Sequence, residues 1–319
     1  MSEFRDPDPR APVPFDAAAF DASAWGPAWS ASLRRGSDAE LRAWLELALA
    51  CCDAADEIAL RHFRRDLAID TKPDRTFVTD ADRGIEALIR ERILAAYPGH
   101  GLVGEEYGTE AAGAAVRWYI DPIDGTHNFI RGVPLFGTLI GVERDGEMQL
   151  GVLSAPALRE RWFAWRGGGA WATRGGSGAS QGGADRSAPA SPPGVTRIAV
   201  SRVAKLADAQ LLYGSPFEIM RSGWAPGFPD LVAAAWRDRG FGDFWGYALV
   251  AEGAAEAMIE VGIKPWDLAA PLVLVEEAGG RLSDFGGARG VDMGSVVASN
   301  GRLHQALLVT LRAPASAGR

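Results

Sequence analysis

The sequence predicts a mixed α/β (α+β) protein, and three observations carry that expectation. Segments with apolar residues at helical spacing alternate with short apolar runs of strand length. Turn signals such as Asp145-Gly146 join several of those runs into hairpins. Apolar residues make up 47% of the 319, roughly 150 side chains, enough for a core that one or two domains can share.

Each element follows from its own pattern. Residues 1–36 mix Pro, Asp, Ala and the pair Trp25/Trp29 without sustained period and read as a flexible arm, with Ser37-Asp38 placed to cap a helix beginning at Ala39. From Ala39 to about Arg65, Leu41, Trp44, Leu45, Ala48, Leu49 and Ile58 recur at helical spacing and predict a long amphipathic helix. A second helix is expected from about Arg83 to Tyr97, stopped by Pro98-Gly99. Strand-like runs follow at Gly101 to Val103, Trp118 to Ile120, Leu135 to Glu143, Gln149 to Ser154 and Arg161 to Trp165. Between Arg166 and Gly194 the composition collapses to Gly, Ala, Ser and Pro, too poor in large apolar side chains to order by burial, so an exposed loop and a domain boundary are expected there. Beyond it, Arg197 to Ser201 reads as a strand, and Ala204 to Leu212, Pro229 to Trp236 and Phe244 to Glu252 as helices. A strand at Ala257 to Glu260, a helix opened by Pro265-Trp266-Asp267, strands near Arg281 and Val296 and a helix from Arg302 complete the order. The chain thus divides into an arm (1–37), an N-terminal α+β half (38–165), a Gly/Ser/Pro-rich loop (166–195) and a C-terminal α/β half (196–313).

Charge and composition exclude several functions. With 33 Lys+Arg against 41 Asp+Glu the formal charge is −8, which repels polyanions and argues against a nucleic-acid partner. No run of about 18 apolar residues predicts a membrane span, and Met1 to Arg10 lacks the apolar stretch of a secretory signal, so a soluble, cytoplasmic protein is expected. Cys51 and Cys52 are adjacent, an unfavourable geometry for a disulfide, and two thiols cannot build a thiolate zinc site.

The chemistry lies in acids. Gly104-Glu105-Glu106, Asp121-Pro122-Ile123-Asp124-Gly125-Thr126 and Trp266-Asp267-Leu268-Ala269-Ala270 each set carboxylates beside glycine or a helix start. Asp121 falls at the end of a buried strand, where Pro122 is expected to stop pairing. Gly125 permits a tight turn, and Thr126 opens a short helix whose free amides form an anion seat. Read alone, the first segment is a solvated turn, the second an ordinary turn and the third a helix cap. Clustered, each carboxylate pair would cost about 4 kcal/mol at about 4 Å and an effective dielectric near 20, so cations must sit among them. All-oxygen ligation favours Mg²⁺, with Mn²⁺ as a substitute, and phosphate as the shared anion. Pro271 is expected in the first turn of the helix after Asp267, where it costs little.

These residues resemble the inositol monophosphatase family of metal-dependent phosphatases. The resemblance runs through Thr79-Asp80-Ala81-Asp82, Gly104-Glu105-Glu106, Asp121 to Phe129, and Trp266 to Ala270 followed by Glu277-Ala278-Gly279-Gly280, covering nearly all of Ala39 to Leu308. It implies a layered αβαβα sandwich, two or three Mg²⁺ ions, hydrolysis of a phosphate monoester on a small alcohol, and a homodimer. By position it implies that Glu105, Asp121, the Ile123 carbonyl, Asp124 and Asp267 ligate metal, with Asp82 supporting a weaker ion or its waters. It also implies that Glu105 and Thr126 orient the attacking water, that the backbone of Gly125 and Thr126 holds phosphate, and that Lys72, beside Pro73-Asp74, lies on a mobile loop. Lys72 equally suits a solvated loop.

For the substrate, Gly242-Asp243-Phe244-Trp245-Gly246-Tyr247, Val250 to Ala254 and Arg131 to Ile140 resemble the histidinol-phosphatase branch more than the inositol branch. Histidinol phosphate carries an ammonium group and an imidazole, so its pocket should supply carboxylates, and Asp243 and Glu260 are the candidates. Glu260 suits either branch, whereas Asp243 discriminates, although it also reads as the N-cap before Phe244. His127 reads as a surface histidine without a role. Hydrolysis of inositol 1-phosphate, fructose 1,6-bisphosphate or a nucleotide 3'-phosphate stays open, as do a non-catalytic relative that binds metal or a partner and an anion-binding module without metals.

Overall fold

The computed structural model describes residues 39–65, 69–71, 77–174 and 194–314. The Trp25/Trp29 arm, the Ser37-Asp38 cap, Lys72 with Pro73-Asp74, and 175–193 of the expected loop lie outside the described residues.

The first helix, α1, spans Ala39–His62 and buries Trp44, Leu45, Ala48, Leu49 and the two free cysteines along one side. Strands β1 (Ile69–Thr71) and β2 (Phe77–Thr79) form a short antiparallel pair, and α2 follows at Asp80–Ala96. Helix α2 starts three residues before the expected Arg83 because Thr79 and Asp82 form a capping box: the Thr79 amide donates to Asp82 Oδ2 at 2.8 Å and Thr79 Oγ1 accepts from the Ala81 amide at 3.2 Å.

Strands β3 (Gly101–Gly104), β4 (Gly108–Glu110), β5 (Val116–Asp124), β6 (Gly137–Arg144), β7 (Glu147–Ala155), β8 (Glu160–Trp165), β9 (Gly169–Arg174) and β10 (Val195–Ile198) make an eight-stranded sheet, with the short helix α3 (Thr126–Ile130) between β5 and β6. Its order is β10-β9-β8-β7-β6-β5-β3-β4, antiparallel except for the β3/β5 pair. At its β9–β10 edge the sheet departs from the sequence reading. Strand β9 lies inside the segment expected to be a loop, held by Trp171 stacked on Trp165 with ring centroids 6.3 Å apart. The strand expected at Arg197 to Ser201 starts at Val195 and pairs with β9, so it closes the first sheet.

The remaining chain supplies β11 (Gln210–Tyr213), α4 (Pro216–Ser222), α5 (Phe228–Ala234), β12 (Arg237–Arg239), α6 (Asp243–Ala251), β13 (Ala257–Val261), α7 (Pro265–Glu277), β14 (Arg281–Ser283), β15 (Ser295–Ser299) and α8 (His304–Arg312). The second sheet runs β12-β11-β13-β15-β14. Ala204 to Leu212, expected as a helix, is a 3-10 turn at Leu206–Asp208 followed by β11. Leu211 and Leu212 are buried on opposite faces of that sheet, so the strand lacks the polar side that alternation needs to show.

Five layers result. Helices α1 and α2 cover one face of the large sheet through Trp44, Ile85 and Ile89 against Ile140, Val152 and Phe163. Helices α6 and α7 fill the space between the sheets, and α4, α5 and α8 cover the far face of the small one. This is the expected αβαβα sandwich. Helix α7 is apolar almost all round because it is enclosed on both sides. It lies unusually close to the large sheet: a Cβ on Gly141 would stand 2.6 Å from that of Ala269, and one on Gly151 would overlap the Ala270 backbone. Among the described residues no helix is long and apolar enough to cross a membrane.

Candidate active site

The large sheet delivers the first acids. Contrary to expectation, Pro122 does not stop β5, which pairs with β6 through Asp121 opposite Leu139 and again at Asp124 opposite Gly137. One more residue on β5 than on β6 makes a bulge, and the Thr138 hydroxyl donates to the Pro122 carbonyl at 2.8 Å across it. The bulge absorbs the missing proline donor and leaves Asp121 and Asp124 together. Gly125 follows at φ 78°, and α3 opens at Thr126, whose hydroxyl donates to the Ile123 carbonyl at 2.9 Å and lies 3.4 Å from Asp82 Oδ1.

Helix α7 brings Asp267 to the same place. Asp121, Asp124 and Asp267 bring one carboxylate oxygen each to within 4.8 Å of one another. Each of the latter two is tethered by a backbone amide: Phe244 donates to Asp124 Oδ2 at 2.5 Å and Lys264 to Asp267 Oδ2 at 2.7 Å. Asp267 therefore also takes part in starting its helix, so the plain and the chemical readings both hold for it. Pro271 lies in the second turn of α7, not the first, and removes the amide that would have bonded the Asp267 carbonyl.

Glu105 sits at the end of β3, its amide donating to the Ile120 carbonyl at 3.2 Å. Its charge is felt across the cluster. Burial, then the charges of Glu105, Asp124 and Asp267, hold Asp121 well above the usual carboxylate range, and burial with the Asp243 charge does the same for Asp124. Burial pushes Asp267 up to about 7 against the pull of the Lys264 amide, with Glu105 adding to the rise. Burial pushes Asp82 up to about 6 against its Thr79 hydrogen bonds, and Glu105 again adds. Asp121 Oδ1 is buried with no hydrogen-bond partner. An orphaned buried carboxylate oxygen amid acids that resist ionising together is what a cation site presents, and the all-oxygen donors suit a hard divalent ion. The residues present therefore fit the metal that the resemblance implies.

Two further acids open beside this cluster. Asp124 and Asp267 line a pocket with Asp243, Phe244, Tyr247 and Glu260. Asp243 is not the N-cap of α6: Gly242 occupies that position and Asp243 begins the helix at φ 50°. A capping side chain needs an extended backbone, and the left-handed setting turns the Asp243 carboxylate instead toward Asn128, whose Nδ2 donates to Oδ2 at 3.0 Å. The same Asn128 group donates to the Leu135 carbonyl at 2.9 Å. Asp243 Oδ2 would lie 3.5 Å from a Cβ on Gly125, so the acid stands beside the expected phosphate seat. Burial raises Asp243, against the pull of His127 and Asn128. Burial and the Asp243 charge push Glu260 up to about 8, against a hydrogen bond from the Tyr247 hydroxyl at 2.7 Å.

The structure thus clusters Asp121, Asp124 and Asp267, links Asp82 and the Ile123 carbonyl to that cluster through Thr126, sets Asp243 beside Gly125 and Asp243 and Glu260 in the adjoining pocket, and leaves Glu105 near enough for its charge to act on Asp121, Asp267 and Asp82, while Lys72 is outside the described residues. Asn128, Tyr247 and Glu86 escaped the sequence reading. Asn128 lies within the quoted motif, but its partner is 115 residues away.

The inositol monophosphatase family model matches residues 40–316. A histidinol-phosphatase of Mycobacterium tuberculosis is 46% identical over 275 residues, 84% of this chain and 98% of that protein. One from Streptomyces coelicolor is 40% identical over 269 residues, 83% of this chain and 95% of that protein. Among solved structures, an inositol monophosphatase of Thermotoga maritima is similar at a TM-score of 0.70 and 28% identity, over 84% of this chain and 96% of its own.

Proposed function

Because the chain belongs to the inositol monophosphatase family of metal-dependent phosphatases, we propose that it hydrolyses L-histidinol phosphate to L-histidinol and inorganic phosphate with Mg²⁺, as a cytoplasmic homodimer. The observation that carries the substrate reading is the second pair of acids, Asp243 and Glu260, in the pocket shared with Asp124 and Asp267. A phosphate site needs cations, and two carboxylates beyond the metal cluster suit a substrate that is itself cationic away from its phosphate.

In this reading Glu105, Asp121, the Ile123 carbonyl, Asp124 and Asp267 hold the metal, and Asp82 supports a weaker ion. When bound, the metal lowers the pKa of a water and stabilises the departing oxygen. Glu105 and Thr126 orient the water that attacks phosphorus as the ester P–O bond breaks. Asp82, 3.4 Å from the Thr126 hydroxyl, is placed to accept a proton of the attacking water through it, and the departing alkoxide takes its proton from solvent water. The backbone at Gly125 and Thr126 holds the phosphate oxygens, and Asp243 and Glu260 hold the ammonium and imidazole.

The test is a panel with Mg²⁺: histidinol phosphate, inositol 1-phosphate, fructose 1,6-bisphosphate and a nucleotide 3'-phosphate. We expect kcat/KM for histidinol phosphate to exceed the rest by more than about tenfold, about 1.4 kcal/mol. A smaller preference, or a preference for inositol 1-phosphate, overturns the substrate reading.

A further inference from the structure

Glu86 has no part in the chemistry above, yet its carboxylate is fully buried on α2, one turn beyond Asp82. Every contact it makes leads to the turn that carries Glu105. Oε2 accepts from the Glu106 amide at 2.7 Å and Oε1 from the Tyr107 amide at 3.2 Å. Oε1 also pairs with Arg90 Nε at 2.8 Å. Arg90 in turn donates to the Gly108 carbonyl, and the Tyr107 hydroxyl donates to the Arg83 carbonyl at 3.3 Å. The fit is close enough that a Cβ on Gly104 would overlap the Glu86 carboxylate.

A buried carboxylate is tolerable only when fully paired, and here its partners are one guanidinium and the two amides directly after Glu105. The Glu105 amide is bound on the other side to Ile120 of β5. The backbone of Glu105 is therefore gripped on both sides, by the sheet before it and by α2 after it. That grip opposes a specific force. Without a metal, the charge of Glu105 acts on Asp121, Asp267 and Asp82, all of like sign, and repulsion would drive a side chain on a loose turn away from them.

We propose that Glu86 is a positioning residue that holds Glu105 in the metal cluster against the repulsion of the other acids and so sets the affinity for the divalent ion. The inference rests on the reading of Glu105 as a metal ligand. It is tested on the full chain by counting free Mn²⁺ by electron paramagnetic resonance, without substrate, in the parent protein, Glu86→Gln and Glu105→Gln, with folding of each checked by circular dichroism. We expect Glu86→Gln to raise the Mn²⁺ Kd at least tenfold and to raise the Mg²⁺ concentration for half-maximal hydrolysis by a similar factor. A merely structural role would lower thermal stability and leave the Kd of the folded protein in place, and that result overturns the proposal if Glu105→Gln does weaken binding. If Glu105→Gln itself leaves Mn²⁺ binding unchanged, the ligand reading fails instead, and the proposal with it. Should Glu86→Gln not fold, Arg90→Lys keeps a counter-charge for Glu86 and drops the reach to Gly108. It is expected to raise the Kd at least threefold, and an unchanged Kd overturns the proposal.

Discussion

Asp243 combines a left-handed backbone with a carboxylate aimed into the pocket, two properties that substitutions can separate. Asn tolerates that backbone and keeps the side-chain shape, so Asp243→Asn removes charge without adding strain. We expect it to raise KM for histidinol phosphate about tenfold, the order of one charge-assisted hydrogen bond, and to leave inositol 1-phosphate hydrolysis unchanged, read by steady-state kinetics. Asp243→Val adds the left-handed penalty of about 1–2 kcal/mol and should lower the unfolding midpoint as well. Asp121 makes the complementary case. Asp121→Asn replaces an orphaned buried carboxylate with a neutral group, so the metal-free protein should become more stable in thermal denaturation while hydrolysis falls at least about a hundredfold. A variant that loses activity while its apo form loses stability would mean that Asp121 is held by something other than a cation.

Among the elements, α7 determines where Asp267 stands. Its backbone approaches β6 and β7 at two glycines, so Gly151→Ala should force the helix away from the sheet. Overpacking of this kind costs about 1–3 kcal/mol in urea denaturation. Because Asp267 is on the displaced helix, the Mg²⁺ requirement for activity should rise too. Both α7 and α1 were legible in the sequence, one by its Pro265-Trp266-Asp267 opening and the other by its amphipathic period. Strand β9 was not, since Gly169, Ala170 and Ala172 carry too little side chain to signal burial and the strand is held by neighbours and by one tryptophan stack. In the site, Asp121, Asp124 and Asp267 were legible because each lies in a short motif that is continuous in sequence, although the strand pairing beyond Pro122 and the Phe244 amide that holds Asp124 come from distant residues. The orientation of Asp243 was not, because it follows from a residue 115 positions away. Glu86 was hidden for the same reason: as helix position i−4 to Arg90 it reads as an ordinary ion pair until the turn at 105–108 folds onto it.

At the scale of the molecule, the cluster is a cost that the five-layered core carries. Asp82, Asp267 and Glu260 start from ordinary values of 3.8, 3.8 and 4.5 and are pushed up to about 6, 7 and 8 in the fold. Above about pH 4 the folded protein therefore holds protons that the unfolded chain has released, so stability falls as pH rises through 8. In a chelator, the unfolding midpoint should be higher at pH 5 than at pH 8. Divalent cations should raise the midpoint more at pH 8, by an amount that corresponds to about 2.7 kcal/mol at a hundred times Kd. Calorimetry across pH with and without Mg²⁺ reads both slopes, and a chelated protein that gains stability toward pH 8 would contradict the electrostatic account of the site.

Asp121 and Asp124 end a strand of the first sheet, whereas Asp267 arrives on a helix more than a hundred residues later, seated between that sheet and one that is complete only with β15. During synthesis on the ribosome, the early acids thus emerge long before their last companion. A nascent chain therefore cannot hold an ion with all three aspartates until the helix that carries Asp267 has emerged and docked against the first sheet.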